Sequence, residues 1–313
     1  MRRRTWITIL AGLATALPYY WLLIDNGPSS AAGQSRQLAI ASLRTLANAL
    51  PGAKPTSVTY EIVATRLEPG TLLVAGGGLK RQPVSAIVFR LHSPSGDTVI
   101  DSGVNSRDVK AAGFNRFSPP NAARAHGDML AAAHIVFTSE QPGAMDGFLG
   151  HPDFARLAPK AELGFNQSPH SPGASLLPWP NELGDLRLPP QPGAPRAIAP
   201  GIVQINAPGY SAGSQMYFVQ YANGTEMLFA GEVVPMRRNL DWLRLRSHYD
   251  TDIRKPSSRL QHRAWLSAVA ALARGTPELV VVPGHDSNWL RSKQVRRLFG
   301  ETAEQALQEV TDD

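Results

Sequence analysis

The sequence predicts an α/β (α+β) fold with layered sheets, preceded by a membrane-spanning first helix. Three observations carry this reading. Short β-branched runs alternate with helical stretches along most of the chain. Three of these runs leave through polar, Gly/Pro-rich exits, at 139–147, 207–214 and 283–286, where α/β proteins place their chemistry. An uncharged apolar run occupies residues 6–24.

The run 6–24 (WITILAGLATALPYYWLLI) would span about 28 Å as a helix, close to one hydrocarbon core. Arg2, Arg3 and Arg4 precede it and make residues 1–5 a basic cytoplasmic tail. Tyr19, Tyr20 and Trp21 fit an interfacial aromatic belt. These features predict a single-pass protein of the inner (cytoplasmic) membrane, its N-terminus in the cytoplasm and its main domain exported to the periplasm or outside the cell. A cleaved signal is the competing reading, with Ser30, Ala31 and Ala32 offering small residues for cleavage.

Residues 25–54 read as a linker and a short helix. Leu38, Leu43, Leu46 and Leu50 recur at roughly helical spacing, and Pro51-Gly52 ends the pattern. Strands are expected at 58–64, 71–75, 85–91 and 98–100, separated by turns at Pro69-Gly70 and 94–96. Gly76, Gly77 and Gly78 match neither nucleotide-binding fingerprint and read as a turn. A helix over 122–133 feeds the strand 134–137, with His126 and Asp128 as surface or packing residues. A polar turn over 138–143 then leads into what reads as a second helix start.

Residues 159–200 are rich in Pro, Gly and Ser and read as a long covering loop. Strands follow at 201–207, 215–221 and 226–230, with Asn223-Gly224 as a hairpin signal. Met216 and Phe218 alternate with Tyr217, Val219 and Tyr221, so that strand is expected to be covered on both faces. Ser258 is a plausible N-cap for a helix over 258–274, with Gly275 just past its end. The strand 279–282 runs into Pro283-Gly284-His285-Asp286. The main domain spans 55–295, and 296–313 form a C-terminal helix or tail.

Composition excludes several classes of function. Hydrophobic residues make up 43% and charged residues 18% of 313, which suits a globular fold rather than disorder. There are no cysteines, so disulfides, thiolate metal sites and cysteine nucleophiles are absent. The formal net charge is +6, and Arg2, Arg3 and Arg4 supply half of it. Arg237, Arg238, Arg296 and Arg297 read as solvated helix faces, so no nucleic-acid partner is expected.

Five segments in order, VIDSG (99–103), HIVFTSEQPGAMDG (134–147), APGYSAGSQ (207–215), LFAGEV (228–233) and VVPGHD (281–286), resemble the metallo-β-lactamase superfamily. The resemblance covers roughly residues 58–289. It implies a four-layer αβ/βα sandwich with its site along one edge of two facing sheets, and Asp101 as an inner structural support. It also implies a hydrolase with one or two zinc ions, each held by about four N/O ligands.

The family's ligand positions fall on other residues here. The first two histidines fall on Ser139 and Gln141, the aspartate on Gly143 and the third histidine on Ala144. The histidine of the APGHT turn falls on Tyr210, and the bridging aspartate on Glu232. Only His285, in PGHD, is unchanged. Ser and Gln oxygens are poor zinc ligands, and a tyrosine must first lose a proton of pKa about 10. Glu232 and His285 are the residual metal candidates, and two ligands do not make a stable zinc site.

Three readings follow. In the first, the chain is a membrane-anchored binding or pseudoenzyme module with no cofactor. Ser139, Glu140, Gln141, Tyr210, Glu232 and His285 would face a small polar ligand or a protein partner, under a lid formed by 159–200. In the second, the chain is an active hydrolase of an ester, lactone or amide. It would use a zinc centre rebuilt from Glu140, Asp146, His151, Glu232 and His285, or a metal-free Glu232–His285 acid/base pair. Ser139 lies in no Gly-x-Ser-x-Gly elbow and is not signalled as a nucleophile. In the third, the chain is an unrelated membrane-tethered structural protein.

Overall fold

The apolar runs pair into two five-stranded sheets in the computed structural model, which describes residues 2–27, 36–189 and 193–299. The first sheet contains β1 (Ser57–Pro69), β2 (Arg81–His92), β3 (Thr98–Ile100), β4 (Arg116–Phe117) and β5 (His134–Val136), in the order β4-β1-β2-β3-β5. The second contains β6 (Arg196–Ala199), β7 (Ile202–Asn206), β8 (Gln215–Gln220), β9 (Glu226–Phe229) and β10 (Val280–Val282), in the order β10-β9-β8-β7-β6. Most pairings are antiparallel. The exceptions are β3 with β5 and β9 with β10, which run parallel. Parallel pairing brings the exits of β3 and β5 together, and likewise those of β9 and β10.

Alternation along β8 decides how the sheets stack. Tyr217, Val219 and Tyr221 face a core shared with Val58, Phe89 and Ile100 of the first sheet, which fills the space between the sheets. Met216 and Phe218 face the other way, into a second core with Trp265, Leu266 and Val269 of the helix Arg259–Gly275 and Leu43 of the helix Ile40–Ala47. Ser258 caps the longer helix by accepting from Gln261 N. On the far side of the first sheet, Val88, Val99 and Ile135 pack against the helices Pro119–Ala131 and Pro142–Leu149. The layers therefore run helix, sheet, sheet, helix, the αβ/βα arrangement.

Three expectations fail. The first is the membrane anchor over 6–24. Among the described residues no helix is long and apolar enough to cross a membrane, which overturns the single-pass membrane location. The helix Arg2–Tyr19 begins with three arginines, and at Tyr20 it passes into a π-helical turn, Tyr20–Ile24. Residues 22–27 are half-buried against the domain. Leu23 O accepts from Gly76 N and Thr71 Oγ1, Asn26 Oδ1 accepts from Leu245 N, and Trp21 stacks on His248. The end of the apolar run is thus engaged by the protein itself. Ser30, Ala31 and Ala32, and residues 300–313 of the expected C-terminal element, lie outside the described residues.

The second failure is the strand at 71–75. β1 and β2 stay paired, through one register shift at Ile62/Ala64, out to Pro69 and Arg81, so the intervening chain must turn back, and Gly70–Leu73 forms a short helical turn. The third is the reading of 159–200 as a loop throughout. Its last part forms β6, which pairs with β7.

Candidate functional site

The two parallel strand pairs deliver four exits to one edge of the sandwich. Asp101 follows β3 in a left-handed conformation (φ 63°). Its carboxylate accepts from Thr138 N and Thr138 Oγ1, both at 2.7 Å. This holds the turn after β5 in place. Burial pushes the Asp101 carboxyl up to about 7, against the two Thr138 hydrogen bonds, which favour its ionised form.

On the other sheet the exits of β9 and β10 pack backbone against backbone. A Cβ on Gly284 would lie 2.6 Å from Gly231 O, so only glycine permits this approach. It sets Glu232 beside His285. Glu232 Oε1 lies 2.9 Å from His285 Nε2, and His285 Nδ1 lies 3.0 Å from Ser85 O. Both ring nitrogens therefore face oxygen acceptors, the Glu232 carboxylate on one side and the Ser85 carbonyl on the other.

The other oxygen of Glu232 is also occupied. Arg246 Nη2 donates to Glu232 Oε2 at 3.1 Å. Both residues are almost fully buried, 4% and 3% exposed. Burial alone would raise the Glu232 pKa, but His285 and Arg246 hold it well below the usual carboxylate range. Arg246 also lies 3.8 Å from Asp250 Oδ2 and sits over the Tyr210 ring, 4.5 Å from its centroid. Tyr210 donates its hydroxyl to Asp250 at 3.3 Å. Burial pushes the Tyr210 phenol well above its ordinary pKa, so it stays protonated.

The positions singled out in the sequence meet here. Ser139, Gln141, Gly143, Ala144, Tyr210, Glu232 and His285 all line one small cleft of about 30 Å³. Arg66, Arg246 and Lys255 line it too, and sequence reasoning missed all three. Arg246 and Lys255 belong to the charged run 244–255, where Arg246 and Asp250 stand four apart, the spacing of an ion pair on a helical turn. That spacing was the available signal, but nothing in it marks the run as facing inward.

Several expected participants lie elsewhere. Glu140 is buried away from the cleft, accepting from Ser211 Oγ at 2.7 Å and Gly213 N at 3.0 Å, and ties two exit loops together. Asp146 accepts from Asn105 N at 2.7 Å, and burial raises its pKa to about 6. His151 accepts from Asp153 N and packs on the His126 ring. None of these three lines the cleft, so the rebuilt centre using them does not assemble. The segment 159–200 supplies no cleft-lining residue among those described. Gln167 instead donates to Phe137 O and Gly213 O, bracing the exit loops from outside.

The donor set does not fit a zinc ion. Among the described residues no three His, Cys, Asp or Glu side chains gather to hold a metal. The two candidates, Glu232 and His285, are bonded to each other, and Arg246 occupies the remaining carboxylate oxygen. A metal ligand must offer a free lone pair and be deprotonated. Here those lone pairs face a guanidinium and an imidazole.

This architecture, two facing sheets between helical layers with a cleft at the strand exits, is the metallo-β-lactamase fold. Solved structures of that fold superpose on most of the chain. A quorum-quenching N-acyl homoserine lactone lactonase matches at a TM-score of 0.60 and 11% identity, over 80% of this chain and 100% of that one. A quorum-quenching N-acyl homoserine lactone hydrolase gives 0.58 and 10%, over 77% and 96%. A probable metal-dependent hydrolase from Staphylococcus aureus gives 0.57 and 13%, over 76% and 91%. No protein-family model matches the chain, and no curated protein is detectably similar in sequence.

Proposed function

We propose that this chain is a metal-independent binding module on the metallo-β-lactamase fold, a pseudoenzyme whose cleft receives a small polar ligand. One observation carries the reading: a buried arginine holds the carboxylate that a metal would need. Arg246 supplies the positive charge between Glu232 and Asp250, and unlike a metal it brings no bound water to act as nucleophile. The side chains at the cleft, Ser139, Gln141, Tyr210 and Lys255, are hydrogen-bonding groups suited to holding a ligand.

The similar structures include enzymes acting on N-acyl homoserine lactones, so the direct test uses that substrate class. Purified protein is assayed with an N-acyl homoserine lactone and a p-nitrophenyl ester, with and without added zinc. The expected rate equals that of His285→Ala. Zinc-dependent turnover that His285→Ala abolishes would refute the reading.

A further inference from the structure

We propose that the ligand of this cleft is a small oxyanion, a carboxylate or phosphate group, held chiefly by Lys255 and Arg246. The inference rests on the metal-free reading and adds the chemical class of the ligand.

The cations at the cleft are not all paired. Arg66 donates Nε to Glu68 at 3.2 Å. Arg254 lies 3.3 Å from Glu68 and 3.4 Å from Asp250. Arg246 pairs with Glu232 and Asp250. Four cations, with Lys255 the fourth, therefore share three carboxylates. Lys255 makes no carboxylate contact among the described ion pairs. Its ammonium reaches only Gln141 Oε1, at 3.5 Å, the outer limit of a hydrogen bond.

A second observation points to a missing acceptor. Arg246 is buried, yet its Nε–H has no hydrogen-bond partner. A buried unpaired donor costs roughly 1–3 kcal/mol, more when charged, and an acceptor brought to it would remove that cost. The Ser139 hydroxyl, which accepts from Gln141 N at 3.2 Å, keeps its proton to donate. At about 30 Å³ the cleft has room for one small polar group.

The test uses the full chain, first checked for metal, with sodium phosphate and sodium butyrate titrated separately by calorimetry. Sodium chloride holds ionic strength constant. Saturable binding of one or both is expected, and which of them binds distinguishes a phosphate from a carboxylate ligand. Lys255→Gln should weaken binding about tenfold or more, Lys255→Arg should largely retain it, and Lys80→Gln, an exposed cation away from the cleft, should leave it unchanged. No saturable binding, or equal affinity in Lys255→Gln, would overturn the proposal while leaving the metal-free reading intact. Binding that appears only after zinc is added would overturn both.

Discussion

Replacing Arg246 with methionine removes the central cation while keeping most of the side-chain volume. Glu232 and Asp250 are then left buried without it, at 4% and 3% exposure. Removing one partner of a buried ion pair typically costs about 3–5 kcal/mol, because the other charge stays desolvated. The lost contact with the Tyr210 ring, 4.5 Å away, adds to this. For a domain of this size each kcal/mol moves the melting temperature by roughly 2–4 °C. Arg246→Met should therefore lower it by about 6–20 °C in a scan at neutral pH. Glu232→Gln combined with Arg246→Met removes both charges of the closer pair and should recover part of the loss, giving a coupling of about 1.5–3 kcal/mol. If a metal rather than Arg246 neutralised Glu232 in solution, the single variant would cost little. A loss below about 1 kcal/mol with additive double-variant behaviour would refute the argument.

Other expectations concern the same edge of the sandwich. His262 donates Nε2 to Val233 O, and burial, with Arg246 nearby, lowers its pKa to about 4. The unfolded chain takes up this proton near pH 6.5 and the folded one only near 4, so stability present above 6.5 is lost as pH falls through that window. The loss amounts to about 3 kcal/mol. Urea unfolding at pH 7.5, 5.5 and 4.5 should show it in the native chain, with a shallower fall in His262→Phe; parallel curves would contradict it. Gly284→Ala would place a methyl 2.6 Å from Gly231 O, a backbone atom that cannot rotate away. It should cost about 3 kcal/mol by thermal melting and weaken butyrate or phosphate binding, because the exits carrying Glu232 and His285 are forced apart. An unchanged melting temperature would show that the approach is looser than described.

Much of the framework was legible because its signals are local. Period-two alternation in Met216–Tyr221 announced a strand buried on both faces, and Tyr217 and Phe218 do enter opposite cores. Ser258 and Gly275 bracketed a helix that the structure shows as Arg259–Gly275. The seven ligand-frame positions converge because they sit at fixed offsets from strand ends. What was illegible depends on long-range pairing. Nothing local marks Arg246 as buried, since its partner Glu232 is fourteen residues away across the helix Arg237–Trp242. The pairing of β1 with β2 turned an apparent strand at 71–75 into a hairpin closure. The apolar run 6–24 carried the composition of an anchor, but composition does not report that Leu23 and Asn26 are hydrogen-bonded to the domain.

The central claim is that a guanidinium, not a metal, neutralises the carboxylate at this fold's site. Metal content by mass spectrometry, on protein purified without chelator and again after dialysis against zinc, tests it most directly. The account predicts well below about 0.1 zinc, iron or manganese per chain in both samples, against the one or two per chain of an occupied site. About one metal per chain, lost when His285 is changed to alanine, would contradict it.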